Sequence, residues 1–107
     1  MIFEALNQAA DDGELILLQG GLCHFHKRQD GVVTIREIIV LPANRRYGIG
    51  STLVTKARGD ACKVVARCPA DLPSNAFWEA MGFVHTETQT TRTGRSINVW
   101  VWDAPCG

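Results

Sequence analysis

The chain has no excess of charge in either direction: its 107 residues carry 11 Lys and Arg against 11 Asp and Glu. A broad electrostatic grip on nucleic acid or an anionic membrane needs such an excess, so neither is expected as a partner. No stretch approaches the roughly 20 apolar residues that cross a bilayer. Met1 to Asp12 holds Glu4, Asp11 and Asp12 where a secretory leader would be basic, which sets the expectation of a cytoplasmic protein. Cys-x-x-Cys is also missing. Cys23, Cys62, Cys68 and Cys106 are scattered, so neither a zinc cluster nor any other metal site is expected. In a reducing compartment all four should be free thiols, with Cys23 and Cys62 as core filler. Repeats, linkers and low-complexity stretches are absent, and tyrosine occurs once. What remains, at 46% apolar and 21% charged, is an ordinary globular composition. Residues 1–107 read as one domain with one core.

Against that background one stretch stands out, Glu37 to Arg58. The β-branched run Ile38, Ile39, Val40 stops at Pro42, an Asn-Arg-Arg turn follows, and Gly48 and Gly50 open a segment with helical spacing at Ile49, Leu53, Val54 and Ala57. This is a strand, a glycine loop and a helix N-terminus. The first amides of a helix have no intrahelical acceptor and carry the positive end of its dipole, so a phosphate is a natural guest there. Glycines at 48 and 50 would let a pyrophosphate approach the backbone, and Arg45 and Arg46 bring two permanent charges to its rim. Seven residues separate Val40 from Gly48, and Leu53 stands where a third glycine would complete a dinucleotide fingerprint. No Gly-Lys-Ser/Thr follows, which excludes a nucleotide P-loop.

The pattern that fits is Arg45-Arg46-Tyr47-Gly48-Ile49-Gly50 preceded by Val40-Leu41-Pro42, and here the chain resembles the GNAT acyltransferase superfamily, whose members use this segment to hold coenzyme A. A second stretch, Asp71 to Phe83, resembles the family's other signature: Phe77, Gly82 and Phe83 match, and Trp78 stands where the family often has tyrosine. The resemblance spans roughly Asp30 to Trp102. It implies an α/β mixed-sheet fold, a central mixed sheet with helices on both faces, and a truncated N-terminal region. It also implies acetyl-CoA as co-substrate and an amine, on a small molecule or on a protein lysine or N-terminus, as acceptor.

The element pattern agrees. Ile2 to Ala10 reads as a short amphipathic helix, Glu14 to Gln19 and Leu22 to Arg28 as strands joined at Gly20-Gly21, and Asp30-Gly31 as a hairpin turn into a strand from Val32 to Leu41. That strand is apolar on two faces, Val33, Ile35 and Ile39 against Val32, Ile38 and Val40, and so is expected to be central and covered twice. A helix over 48–58 should lead to a parallel neighbour over Lys63 to Cys68. A helix near 74–81 should end at Gly82, before a hairpin of Phe83 to Arg92 with Arg95 to Trp102 around Thr93-Gly94. The usual N-terminal strand and one early helix of the family are missing or shrunken. Those helices wall the acceptor side, so the site should be open or completed by a homodimer partner.

Acetyl transfer to an amine needs a base, an oxyanion donor and a departing thiolate. Glu37, on the face shared by Val33, Ile35 and Ile39, is the candidate base, and it matches an acidic position of the family; a structural pairing with Arg36 or Arg67 is the alternative. Backbone groups of Ile39, Val40 and Leu41, where strands splay after Val40, are assigned to the pantetheine arm and thioester. Arg45, Arg46, Tyr47, Gly48, Ile49, Gly50 and Ser51 are assigned to the pyrophosphate. Asp71 stands at the family's pantetheine-contacting Asn, with Asn75 an alternative and helix capping a third reading for that region. Trp78 would face the same ligand without being able to protonate a thiolate, which leaves a weak donor such as Ser74. His24 and His26 share one strand face, as a His-x-His metal pair with no third ligand nearby in sequence, as a titrating group near the acceptor, or as a solvated edge. Trp100 and Trp102 read as core, as a subunit interface, or as a platform for stacking a base. Two rivals to the enzyme stay open: a non-catalytic acyl-CoA-binding module, and a nucleic-acid-directed modifying protein using Lys27, Arg28, Arg92 and Arg95.

Overall fold

Alternation of apolar and polar residues builds a six-stranded sheet in a computed structural model that describes residues 13–45 and 47–106. The helix expected over Ile2 to Ala10 and the arginine at position 46 lie outside them. Strands β1 (Leu15–Leu18), β2 (Gly21–Lys27) and β3 (Val33–Val40) form an antiparallel meander. A 3-10 turn (Pro42–Asn44) and helix α1 (Ile49–Arg58) lead to β4 (Lys63–Pro69), which pairs parallel to β3 as the crossover predicts. Helix α2 (Asn75–Ala80) precedes β5 (Val84–Thr90) and β6 (Ser96–Asp103), and β6 inserts between β4 and β5 to give the order β1-β2-β3-β4-β6-β5.

The apolar pattern of β3 has a different cause from the expected one. Phe25 pairs with Ile35 and His24 with Glu37, so Arg36 is an extra residue with no partner on β2, a β-bulge. The bulge shifts the alternation by one. Val33 and Ile35 before it, and Ile38 and Val40 after it, all face the same core, together with Cys23, Val64, Ala66, Leu53 and Val54. Ile39 is turned to the opposite face and is 39% exposed. The two apolar sets read from the sequence are therefore mostly one set, cut by the bulge. Among the described residues both helices pack on that one face; Leu53, Val54 and Ala57 of α1 and Trp78 of α2 belong to the same buried cluster.

Beside the bulge the sheet splits. The β3–β4 ladder consists of Val33↔Val64, Thr34↔Val65 and Ile35↔Ala66, and stops there. Residues 36–40 of β3 have no partner on β4, so the strands part five residues earlier than the splay after Val40 that the sequence suggested. The closing hairpin forms as expected, with the N–H of Gly94 donating to Thr91 O at 2.9 Å in a turn where Gly94 has φ +83°.

The C-terminus of α2 shows how locally the chain encodes its turns. Gly82 adopts φ +88°, its N–H donates to Glu79 O, and the Phe83 N–H donates to Trp78 O, both at 3.0 Å. This is a Schellman cap with its hydrophobic contact, since the rings of Trp78 and Phe83 meet edge-on at 5.0 Å. Trp100 is buried as the core reading holds, and the Arg58 guanidinium sits 4.5 Å from the ring centroid of half-buried Trp102.

The expectation of four free thiols fails. Cys62 and Cys106 are disulfide-bonded, with Cα atoms 5.8 Å apart, because the segment after β6 returns beside the start of β4, where the Ala104 N–H donates to Cys62 O at 2.8 Å. Cys23 and Cys68 are the free and buried ones. No helix among the described residues is long and apolar enough to cross a membrane.

Candidate functional site

Where β3 and β4 part, a cavity of about 650 Å³ opens on the helix face. Ile38 and Val40 of β3 form one wall, Asn44, Arg45 and Gly48 to Ser51 a second, and Leu72, Pro73, Ser74 and Phe77 a third. Each wall has a local reason for its position.

Gly48 is the N-cap of α1 in the left-handed conformation, φ +75°, and no side chain caps the helix. The Thr52 N–H returns to Gly48 O at 3.0 Å, which leaves the amides of Ile49, Gly50 and Ser51 without intrahelical acceptors. The first turn holds no acidic residue. This end of α1 is an uncapped, positively polarised donor set lining the cavity. Gly48 is a glycine because of its backbone: a Cβ there would meet nothing within 4 Å, but φ +75° strains any L-residue. Gly50 is a glycine for packing, since its Cβ would lie 3.0 Å from the Phe77 ring. The space beside the backbone expected at both glycines is open at Gly48, where a Cβ would meet nothing, and is filled by the Phe77 ring at Gly50.

The loop is braced from below by the β1–β2 turn. Leu41 N–H donates to Gly20 O at 2.8 Å, and a Cβ on Gly20 would collide with the Asn44 side chain. A Cβ on Gly21 would come within 2.9 Å of Ile39 O. These contacts show which backbone groups of β3 are taken. Leu41 N and Ile39 O turn toward β2, and by the alternation of an extended strand Ile38 and Val40 present theirs to the gap. Of the three residues assigned to the pantetheine arm, only Val40 lines the cavity; Ile38, unassigned from sequence, lines it as well, and Ile39 and Leu41 do not. The bulge is the cause, and no sequence pattern announces it.

The third wall hangs on Asn75. Its side-chain amide donates to Pro69 O at 2.9 Å and Leu72 O at 2.7 Å, while its Oδ1 accepts from Trp100 Nε1 at 2.9 Å and Asn98 Nδ2 at 3.1 Å. With donors and acceptor both engaged, Asn75 is a strut between the 69–72 loop and β6. Asp71 is 78% exposed at its side chain, lies 3.8 Å from Arg95, and does not line the cavity. Trp78 is 4% exposed between Phe77 and Phe83 and does not line it either. Ser74 does, and its Oγ lies 3.2 Å from Cys68 Sγ. Arg45 lines the loop wall, its Nε 3.4 Å from Val40 O, whereas Tyr47 is 78% exposed and outside. Ser74, named from the sequence as a weak donor, does line the cavity; Leu72, Pro73 and Phe77 were given no place in it, because that depends on where the 69–74 loop folds back.

Glu37 is half-buried on the face away from the helices, directly opposite His24 on β2. It does not share a face with Val33 and Ile35, as the uninterrupted alternation implied; the bulge at Arg36 separates them. His24 and His26 also differ in surroundings. His26 Nδ1 lies 2.8 Å from Glu14 Oε2, which accepts the Lys27 N–H as well, while His24 stands beside Glu37. Burial pushes the Cys23 thiol from an ordinary 9.0 up to about 12, which makes it an inert part of the core. Among the described residues no group of three or more His, Cys, Asp or Glu could hold a metal ion.

Comparison with known proteins places this geometry. The profile of the acetyltransferase (GNAT) domain family matches residues 7–85. No curated protein sequence matches the chain. Among solved structures, a GNAT-family acetyltransferase from Bacillus cereus superposes with a TM-score of 0.79 at 15% identity, over 96% of this chain and 79% of its own. A Bacillus anthracis structure described as a streptothricin acetyltransferase, with acetyl coenzyme A bound, gives 0.77 at 18% identity over 94% and 69%. A Bacillus subtilis acetyltransferase in complex with CoA gives 0.66 at 16% over 80% and 70%. At these identities the likeness is one of fold.

Proposed function

The chain belongs to the GNAT acetyltransferase family, and from that premise we propose that it moves an acetyl group from acetyl-CoA to a primary amine in one direct transfer. The observation that carries the reading is that an uncapped helix N-terminus and a split parallel ladder line one cavity.

The residues present fit acetyl-CoA. The free amides of Ile49, Gly50 and Ser51, with Arg45 at the rim, would hold the pyrophosphate, and Gly48 leaves its approach open. The gap-facing backbone of Ile38 and Val40 would pair with the amides of the pantetheine arm as a missing strand would, and Leu72, Pro73 and Phe77 would cover its methylenes. When bound, the co-substrate supplies the activated thioester. Glu37 takes the proton from the attacking amine across the gap. The Ile38 and Val40 N–H groups donate to the carbonyl oxygen as it gains charge. Ser74 donates a hydrogen bond to the departing sulfur; a thiol with a pKa near 8.5 needs little more at neutral pH.

The reading is tested by titrating acetyl-CoA into the protein by calorimetry, then following free thiol on addition of a panel of amines. Saturable binding with amine-dependent thiol release is the expected result. A specific observation favours one rival: Trp78 is buried and Tyr47 points outward, so no phenol reaches the cavity. Tight binding with no release on any acceptor would make the protein an acyl-CoA-binding module.

A further inference from the structure

The face of β1–β3 away from the helices carries two parallel rows of side chains fixed by register. Leu17 lies opposite Leu22, and Leu22 opposite Ile39. One step along, Leu15 lies opposite His24, and His24 opposite Glu37. The first row is apolar throughout, and its two ends are open: Leu17 is 67% exposed and Ile39 39%. The second row holds a single carboxylate, Glu37. Both rows end on β3 in the segment with no β4 partner, so Ile39 and Glu37 stand side by side at the lip of the gap.

We propose that this shelf selects the acceptor, and that the acceptor is a monocationic primary amine with an extended apolar body; the inference rests on the acetyltransferase reading above. An amine held at Glu37 has one direction in which the same face continues as apolar surface, along Ile39, Leu22 and Leu17. Two inter-strand spacings make that path about 10 Å long, the length of a medium alkyl chain or an aromatic ring on a short linker. A polyamine needs further carboxylates, and the two rows supply none. Among the described residues beside β1 the other carboxylate, Glu14, is already engaged by His26 and the Lys27 N–H. The occupant follows from continuity: the shelf is the extension, on the same strands, of the place where the proton is taken.

The test is a homologous series of n-alkylamines from ethylamine to octylamine, set against diamines of equal length, with acetyl-CoA affinity measured separately. A fully buried methylene corresponds to about fourfold in kcat/KM, so on an open shelf a rise of roughly two- to fourfold per methylene is expected, with the diamines at least tenfold poorer. Leu17→Glu should remove the gain from the last methylenes and leave ethylamine turnover and acetyl-CoA affinity unchanged. A flat series, or a preference for polyamines, with acetyl-CoA binding intact, overturns the shelf alone. Absence of acetyl-CoA binding overturns the underlying reading and the shelf with it. If Leu17→Glu lowers the melting temperature or breaks a dimer without changing the amine series, the row is covered by the chain itself or by a second copy, and the inference falls.

Discussion

Single residues at this site do different jobs from the ones their types advertise. Two glycines two positions apart illustrate it: Gly48 serves a backbone angle and Gly50 a ring. Replacing Gly48 with valine puts a β-branched residue at φ +75° and, on the proposed reading, into the path of the pyrophosphate. It is expected to cost at least 1–2 kcal/mol of stability and to abolish acetyl-CoA binding, read by calorimetry on the folded protein. Gly50→Ala sets a gain of about 1 kcal/mol from removing a glycine inside the helix against a Cβ 3.0 Å from the Phe77 ring; a net loss that Phe77→Leu recovers is expected, which a denaturation series on the three variants decides. Glu37→Gln should lower turnover by roughly 10²- to 10⁴-fold with acetyl-CoA affinity unchanged. An equal loss in both would place Glu37 in binding. Cys23 gives a pH prediction. Its thiol is raised in the folded state, so its contribution is complete below the ordinary value of 9.0 and is lost as pH climbs toward about 12. The melting temperature should therefore fall above pH 9, and less steeply in Cys23→Val.

At the scale of elements, the bulge at Arg36 does the most. One unpaired residue rotates the rest of β3, parts it from β4, turns Ile38 and Val40 toward the cavity, and puts Glu37 and Ile39 on the opposite face. The 69–74 loop depends in the same way on Asn75. Asn75→Ala would leave the Trp100 indole N–H and the Pro69 and Leu72 carbonyls with fewer partners, a loss expected at about 1–3 kcal/mol. The cavity should loosen with it, so that acetyl-CoA affinity falls together with stability; a change in turnover alone would contradict a strut. Neither element was legible beforehand, because a bulge and a side chain bonding to distant backbone are decided by what lies opposite in space. The helices, by contrast, were legible to within a residue or two: α1 from Gly48 and its apolar spacing, α2 from Gly82 and the Trp78–Phe83 contact that caps it.

For the whole molecule, the middle and the C-terminal end of the described chain are held by different means. β3 is central and bonded on both sides over its first half, whereas the segment after β6 is tied back by the Cys62–Cys106 bond across a sequence separation of 44. Closing a loop of that length is worth about 4 kcal/mol against the unfolded chain. Reduction, or Cys62→Ser with Cys106→Ser, should lower the denaturant midpoint accordingly while acetyl-CoA affinity holds, because the bond lies at the opposite end of β4 from the gap. The sequence by itself determined the order of the described strands and helices, the parallel crossover and the glycine loop that opens α1, since each rests on spacing and turn chemistry within a few neighbouring residues. Only the tertiary structure decided which side chains line the cavity, that Trp78 and Asn75 brace it from outside, that two of the cysteines meet, and which face carries Glu37. Each of these is a contact between residues far apart in the chain, and one unpaired residue in β3 is enough to exchange the faces on which they fall.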